Sequence, residues 1–183
     1  MADLRVIRTE KAIQAAFVKL VNEVGFEDVT VTSLAQEAMI NRLTFYKHYT
    51  DKYDLAQSMI EHFGTLYEHV IQKRLTFTEN NYSFKKVLEE QLTPDLTALF
   101  LNKQDELRAL QSIQVGSLTL NKKLESVIAK YMPRLLHHDV SKLEQRLLVA
   151  LLANILNYVI EEQHLPDYRE LQQTLKDVQR VIE

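Results

Sequence analysis

A chain of 183 residues with only three glycines and three prolines is long enough for one good core or two small ones and poor in turn residues. Its β-branched residues do not fall in alternating runs, so an all-α fold is expected, and the absence of cysteine excludes disulfides and thiolate chemistry, as suits a reducing cytoplasm. The net charge of −3 speaks against a broadly basic face, but residues 1–52 hold seven Lys/Arg against seven Asp/Glu and the remainder fifteen against eighteen, so any DNA contact must rest on a few placed cations and helix N-termini.

In chain order, the N-terminal stretch MADLRVIRTEKAI carries charges throughout and lacks the apolar centre of a signal peptide. A first helix is expected from near Asp3 or Thr9 to Val24, with Ile13, Phe17, Leu20 and Val24 on one stripe and Gly25-Phe26 as its stop. Thr30 is an N-cap for a second helix whose Val31, Leu34, Ala35 and Ala38 share a face. Asn41 is an N-cap for a third, Arg42 to Tyr49, and Asp51 for a fourth that follows at once. Helices as short as the second and third are not stable alone, because nucleation is costly below about 12 residues. They must lie on a third element, as in a helix-turn-helix.

The fourth helix, Lys52 to about Leu75, carries Tyr53, Leu55, Met59, Ile60, Phe63, Leu66, Tyr67, Val70 and Ile71. A polar break, TFTENNYS at 76–83, separates it from a helix over Phe84 to Asn102 with Pro94 at a capping or kink point. Gln111 to Thr119, around Gly116, has no clear period. Leu120 to His138 is helical with a kink near Pro133, and Ser141 to Gln163 is apolar on almost every side from Leu147 to Ile160. That run is too short to span a membrane and is broken by Asn154 and Asn157. Asp167 and Glu170 form a capping box for a last helix, where Tyr168, Leu171, Leu175, Val178 and Ile182 keep a coiled-coil-like seam.

Residues 38–49, AMINRLTFYKHY, followed by Asp51-Lys52, resemble the signature of the TetR family of bacterial transcriptional regulators. Ala12 to Phe26 and the entry Thr30-Val31 resemble the family's first helix and its step into the second. The resemblance covers about the first third of the chain; the rest is similar only in length and helical character. Two positions depart from the pattern. Met39 stands where the family usually has glycine at the turn, and Leu43 replaces a second glycine at the start of the presumed recognition helix. The resemblance implies an all-α protein. Residues 1–52 would form a helix-turn-helix DNA-binding domain (motif about 30–49), and residues 53–183 a helical regulatory and dimerisation domain.

Thr44, Tyr46, His48 and Lys52 match family positions that mostly hold phosphates, so Tyr46 and Lys52 would position the domain on DNA. Base reading falls to Thr32, Arg42, Leu43 and Lys47, with Arg or Lys on guanine and Leu43 or Thr32 at a thymine methyl. A homodimer is expected through Leu148, Leu152 and Leu156 with Tyr168, Leu171, Leu175, Val178 and Ile182, packed as a four-helix bundle. Met59, His62, Phe63, Leu66, Tyr67, Gln114, Asn154 and Tyr158 are candidate walls of a small-molecule pocket, mostly apolar with a few polar groups. The expected function is a cytoplasmic repressor released from a palindromic operator by a small apolar effector, with no membrane partner. The alternative is a co-regulator of the same family controlled by a protein partner. No phosphate loop, HExxH or nucleophile elbow is present, and Glu89-Glu90 and Glu161-Glu162 are solvated pairs, so no enzyme and no cofactor are expected. His137-His138 point about 100° apart on a helix and do not share a metal ion.

Overall fold

A computed structural model describes residues 4–77, 94–136, 139–164 and 166–182, with side chains throughout except at 74–77, 94–97, 135–136, 168 and 181–182. Most of the helix expected from Phe84, and His137-His138, lie outside the described residues. Among those described there are nine helices: α1 (Leu4–Val24), α2 (Val31–Glu37), α3 (Arg42–Tyr46), α4 (Lys52–Phe77), α5 (Pro94–Leu101), α6 (Gln104–Gln111), α7 (Leu120–Leu136), α8 (Lys142–Glu162) and α9 (Tyr168–Ile182). Pro94 opens α5 at the position where a missing N–H costs nothing.

Residues 103–110, for which the sequence names no element, hold most of α6, and the segment without a clear period, Gln111 to Thr119, becomes a two-stranded antiparallel hairpin, β1 (Gln114–Val115) and β2 (Leu118–Thr119), in register Gln114 with Thr119. Gly116 turns it with φ of 58°, a conformation that favours glycine. α8 begins after the N-cap Ser141, whose side chain accepts from the Glu144 N–H, and ends at Gln163 in the left-handed region. It runs for 21 residues and is long and apolar enough to cross a membrane by length and composition, a test that helices buried between protein surfaces also pass. Asp167 caps α9 through the Arg169 N–H at 2.6 Å.

The chain forms two compact units, Met1–Thr65 with Asp105–Lys123, and Leu66–Gln104 with Leu124–Glu183. This division differs from a boundary at residue 52 because the first half of α4 builds the first core: Leu55, Ala56, Ile60 and Phe63 are buried with Ile13, Phe17, Leu34, Phe45, Leu107, Leu110, Ile113 and Leu120. Within this unit Lys123 pairs with Glu61, its stem lying over Gly64, where an added Cβ would collide with it. The second core gathers Tyr67, Phe100, Leu124, Val127, Ile128, Tyr131, Met132, Ala153, Leu156, Val159 and Ile160. There α5 packs on α8, Tyr67 meets Phe100 edge to face at 5.9 Å, and Glu68 accepts from Lys130 and from the Tyr131 hydroxyl.

Four expected dimer-seam residues take different positions in the protomer. Leu156 and Leu171 are already buried, while Leu148 and Leu152 are half-buried. On α8 the large apolar side chains that face solvent are Leu143 (68% exposed) and Leu147 (62%), and on α9 Val178, one of the expected seam residues, is exposed. A helix apolar all round does not announce which side its own protomer covers. The side chains of Tyr168 and Ile182 lie outside the described residues, and Leu175 is half-buried.

Candidate nucleic-acid interface

The first unit builds a helix-turn-helix from local signals. Thr30, in an extended conformation, accepts from the Ser33 N–H at 3.0 Å while the Ser33 hydroxyl accepts from the Thr30 N–H at 3.0 Å. This reciprocal box satisfies two N–H groups that a helix start leaves open. α2 then ends in a Schellman turn: the Met39 N–H donates to Gln36 O and the Ile40 N–H to Ala35 O. Such a turn needs one left-handed residue, and Met39 supplies it with φ of 54°, at a cost of about 1 kcal/mol relative to glycine. Asn41 restarts the chain, its side chain accepting from the Leu43 N–H at 2.8 Å. Asp51 caps α4 through the N–H groups of Tyr53 and Asp54, both at 2.8 Å.

Packing then decides which face of α3 is free. Phe45 is fully buried and Tyr49 nearly so; their rings lie 5.9 Å apart. The Tyr49 hydroxyl accepts from Gln14 on α1 at 3.3 Å, and burial raises its pKa. α1 and α2 are joined by the Lys19–Glu37 ion pair at 2.8 Å. With that face used, Arg42, Leu43, Tyr46 and Lys47 are left exposed together at and beside α3, and Thr32 is exposed on α2. Leu43 is 72% exposed and Met39, just before the helix, 93%. These residues offer two cations, a phenol, a hydroxyl and an apolar edge, the mixture that base edges and phosphates take in a major groove.

Two of the expected phosphate contacts are engaged by the protein itself. The Lys52 ammonium donates to the Phe26 and Glu27 carbonyls at 2.9 and 2.8 Å and lies 4.7 Å from the centre of the Phe26 ring. It therefore ties the start of α4 to the turn after α1, where Gly25 at φ of 82° lets Phe26 fold back on Phe17 and Tyr53. His48 is also turned inward, its side chain only 11% exposed and its Nδ1 3.3 Å from the Glu10 carboxylate. Thr44 is half-buried.

The expected pocket residues fall in both units. In the first, Met59 and Phe63 are core residues, His62 is exposed, and the Gln114 amide donates to the Gly116 carbonyl at 3.0 Å. In the second, Tyr67 is buried and Leu66 half-buried; the exposed Asn154 donates to the Ala150 carbonyl at 2.8 Å, and Tyr158 meets the His164 ring edge to face. Gln114 and Asn154 thus satisfy their own backbone.

Residues 13–59 match the family profile described as "Bacterial regulatory proteins, tetR family", a stretch from the middle of α1 to the first two turns of α4. An uncharacterised HTH-type transcriptional regulator of Bacillus subtilis (strain 168), YxbF, is 30% identical over a match covering 64% of this chain; the match spans about a third of that protein, 34% of its length. Among solved structures, the fatty acid degradation regulator FadR from Bacillus halodurans superposes with a TM-score of 0.57 at 18% identity, covering 94% of this chain and 93% of FadR. SmeT, in complex with triclosan, gives 0.52 at 15% identity, covering 84% of this chain and 79% of SmeT. At such identities the two structures speak for the fold alone. The profile lies on the helix-turn-helix whose caps and exposed face are described above, so residues 13–59 are similar to the tetR family of bacterial regulatory proteins, and the superposed structures extend that likeness in fold over most of the chain.

Proposed function

We propose that this protein is a dimeric cytoplasmic repressor that holds a palindromic operator through α3 and lets it go when a small, largely apolar molecule binds. The observation that carries the DNA reading is the exposed set Thr32, Arg42, Leu43, Tyr46 and Lys47 on a helix-turn-helix whose opposite face is fully packed. Arg42 and Lys47 suit guanine or phosphate, and Tyr46 suits phosphate. An acidic chain offers little non-specific attraction, so binding must draw on these placed contacts.

Dimerisation rests on the exposed Leu143 and Leu147 of α8 with Leu175 and Val178 of α9. A 21-residue helix with such a face is better satisfied by a symmetry mate than by water. Two recognition helices then meet half-sites about 34–36 Å apart, one duplex turn. A ligand that fits one separation of these helices better than another shifts DNA affinity by the difference in its binding. Support for an apolar effector comes from the neighbours: FadR is a fatty acid degradation regulator and SmeT binds triclosan.

The test is selection of the full chain on a random duplex library, followed by release of the selected duplex with a panel of fatty acyl and aromatic compounds. An inverted repeat that is released by at least one compound supports the proposal. No enriched sequence overturns the DNA reading. An enriched sequence that no compound releases transfers control to a protein partner.

A further inference from the structure

Met39 (93% exposed) and Leu43 (72%) are large apolar side chains that the fold leaves in solvent. The Schellman turn after α2 requires a left-handed residue and nothing more, yet the position holds a long thioether that points almost wholly into solvent. Backbone strain without a packing return is found where a side chain serves a partner. Four residues on, at the head of α3, Leu43 is a second large apolar side chain left exposed, although any polar helix former would serve the fold as well. The two lie on either side of the Asn41 cap, at the end of the helix-turn-helix that faces DNA in the function proposed above.

We propose that Met39 and Leu43 form an apolar reading edge for the 5-methyl groups of thymine, so that each half-site carries T·A pairs beneath the start of α3. In the major groove the thymine methyl is the one apolar feature of a base edge, and it is read by apolar contact rather than by hydrogen bonds. An unbranched, polarisable thioether adapts to the position of such a methyl, and a leucine fixes it. The inference rests on operator binding through α3, and its test separates the two.

Once an operator has been selected with the full chain, each thymine of a half-site is replaced by deoxyuridine, which removes the methyl and nothing else. The unmodified protein should lose about three- to fivefold in affinity at one or two positions, the effect of withdrawing a buried methyl. Leu43→Ala and Met39→Gly should each bind more weakly and lose that sensitivity at their own position. Met39→Gly should at the same time melt about 2–4 °C higher, because the strain is relieved; this shows that weaker binding does not come from poorer folding. Failure of the selection itself refutes the function proposed above. An operator with no T·A pair under α3, deoxyuridine substitutions that change affinity less than 1.5-fold, or a methyl penalty that persists in the Met39→Gly/Leu43→Ala double variant would overturn the reading edge alone.

Discussion

Replacing Lys52 with methionine removes the ammonium and keeps an unbranched stem of similar helix propensity. The charge now donates to two carbonyls at 2.9 and 2.8 Å and faces the Phe26 ring. Hydrogen bonds to charged groups are worth about 1.5–3 kcal/mol each and a cation over a ring about 0.5–1. Because Lys52 is half-buried, water replaces part of this, and loss of a cation at a helix N-terminus returns about 0.3–0.5 kcal/mol. A net loss of about 2 kcal/mol remains, or about 4–8 °C in melting temperature for a chain of this size. Were Lys52 a phosphate contact instead, its removal would lower the slope of log K against log salt by about 0.9 per subunit. Thermal unfolding and operator binding measured across a salt series therefore separate the two roles. The structure predicts a lower melting temperature with an unchanged slope; an unchanged melting temperature with a slope reduced by about one per subunit would show that Lys52 serves DNA and not the fold.

Lys47→Ala should do the reverse, weakening binding to every duplex and lowering the salt slope by about 0.9 per subunit with little change in melting. Thr30→Ala removes one half of the reciprocal cap on α2 and should cost about 1 kcal/mol by denaturant titration. Leu147→Glu sets like charges on the proposed seam of α8 and should give monomers in sedimentation, whereas an unmodified protein that is itself monomeric at micromolar concentration would remove the dimer. Burial holds the Tyr49 phenol above the ordinary tyrosine range, so the stability it contributes is complete below that range and is lost as pH rises through the raised value. Tyr49→Phe should flatten the fall in stability above about pH 10, although loss of the Gln14 bond lowers stability at neutral pH; an equally steep fall would show that Tyr49 does not set it.

The helix-turn-helix was legible because its signals are local. Thr30, Asn41 and Asp51 cap the helices they precede, Leu34 and Phe45 enter the core, and Gly25 stops α1. Met39 adopts the left-handed turn that its place in the motif demands. Other features depend on what the chain meets in space. α3 ends at Tyr46 rather than Tyr49 because residues 47 and 48 continue only as a turn. The acceptors of Lys52 come from the turn after α1, some 25 residues back in sequence, and no local pattern announces them. The inner side of α8 was hidden for a different reason: with Leu147, Leu148, Val149, Leu152, Leu156 and Ile160 spread over more than half of its circumference, periodicity gives a broad apolar arc, and only packing chooses Leu156 and Ile160 for the inside and Leu147 for solvent. Gln104–Gln111 and the hairpin of two-residue strands are too short for periodicity to register.

In the proposed function the exposed face of α3 is the surface that meets DNA. The most direct measurement is the change in backbone amide resonances when the selected operator is added to the isotope-labelled full chain. The largest changes are expected at Thr32, Arg42, Leu43, Tyr46 and Lys47, with small ones across α8 and α9. Largest changes on α8 or α9, with α3 unmoved, would contradict it.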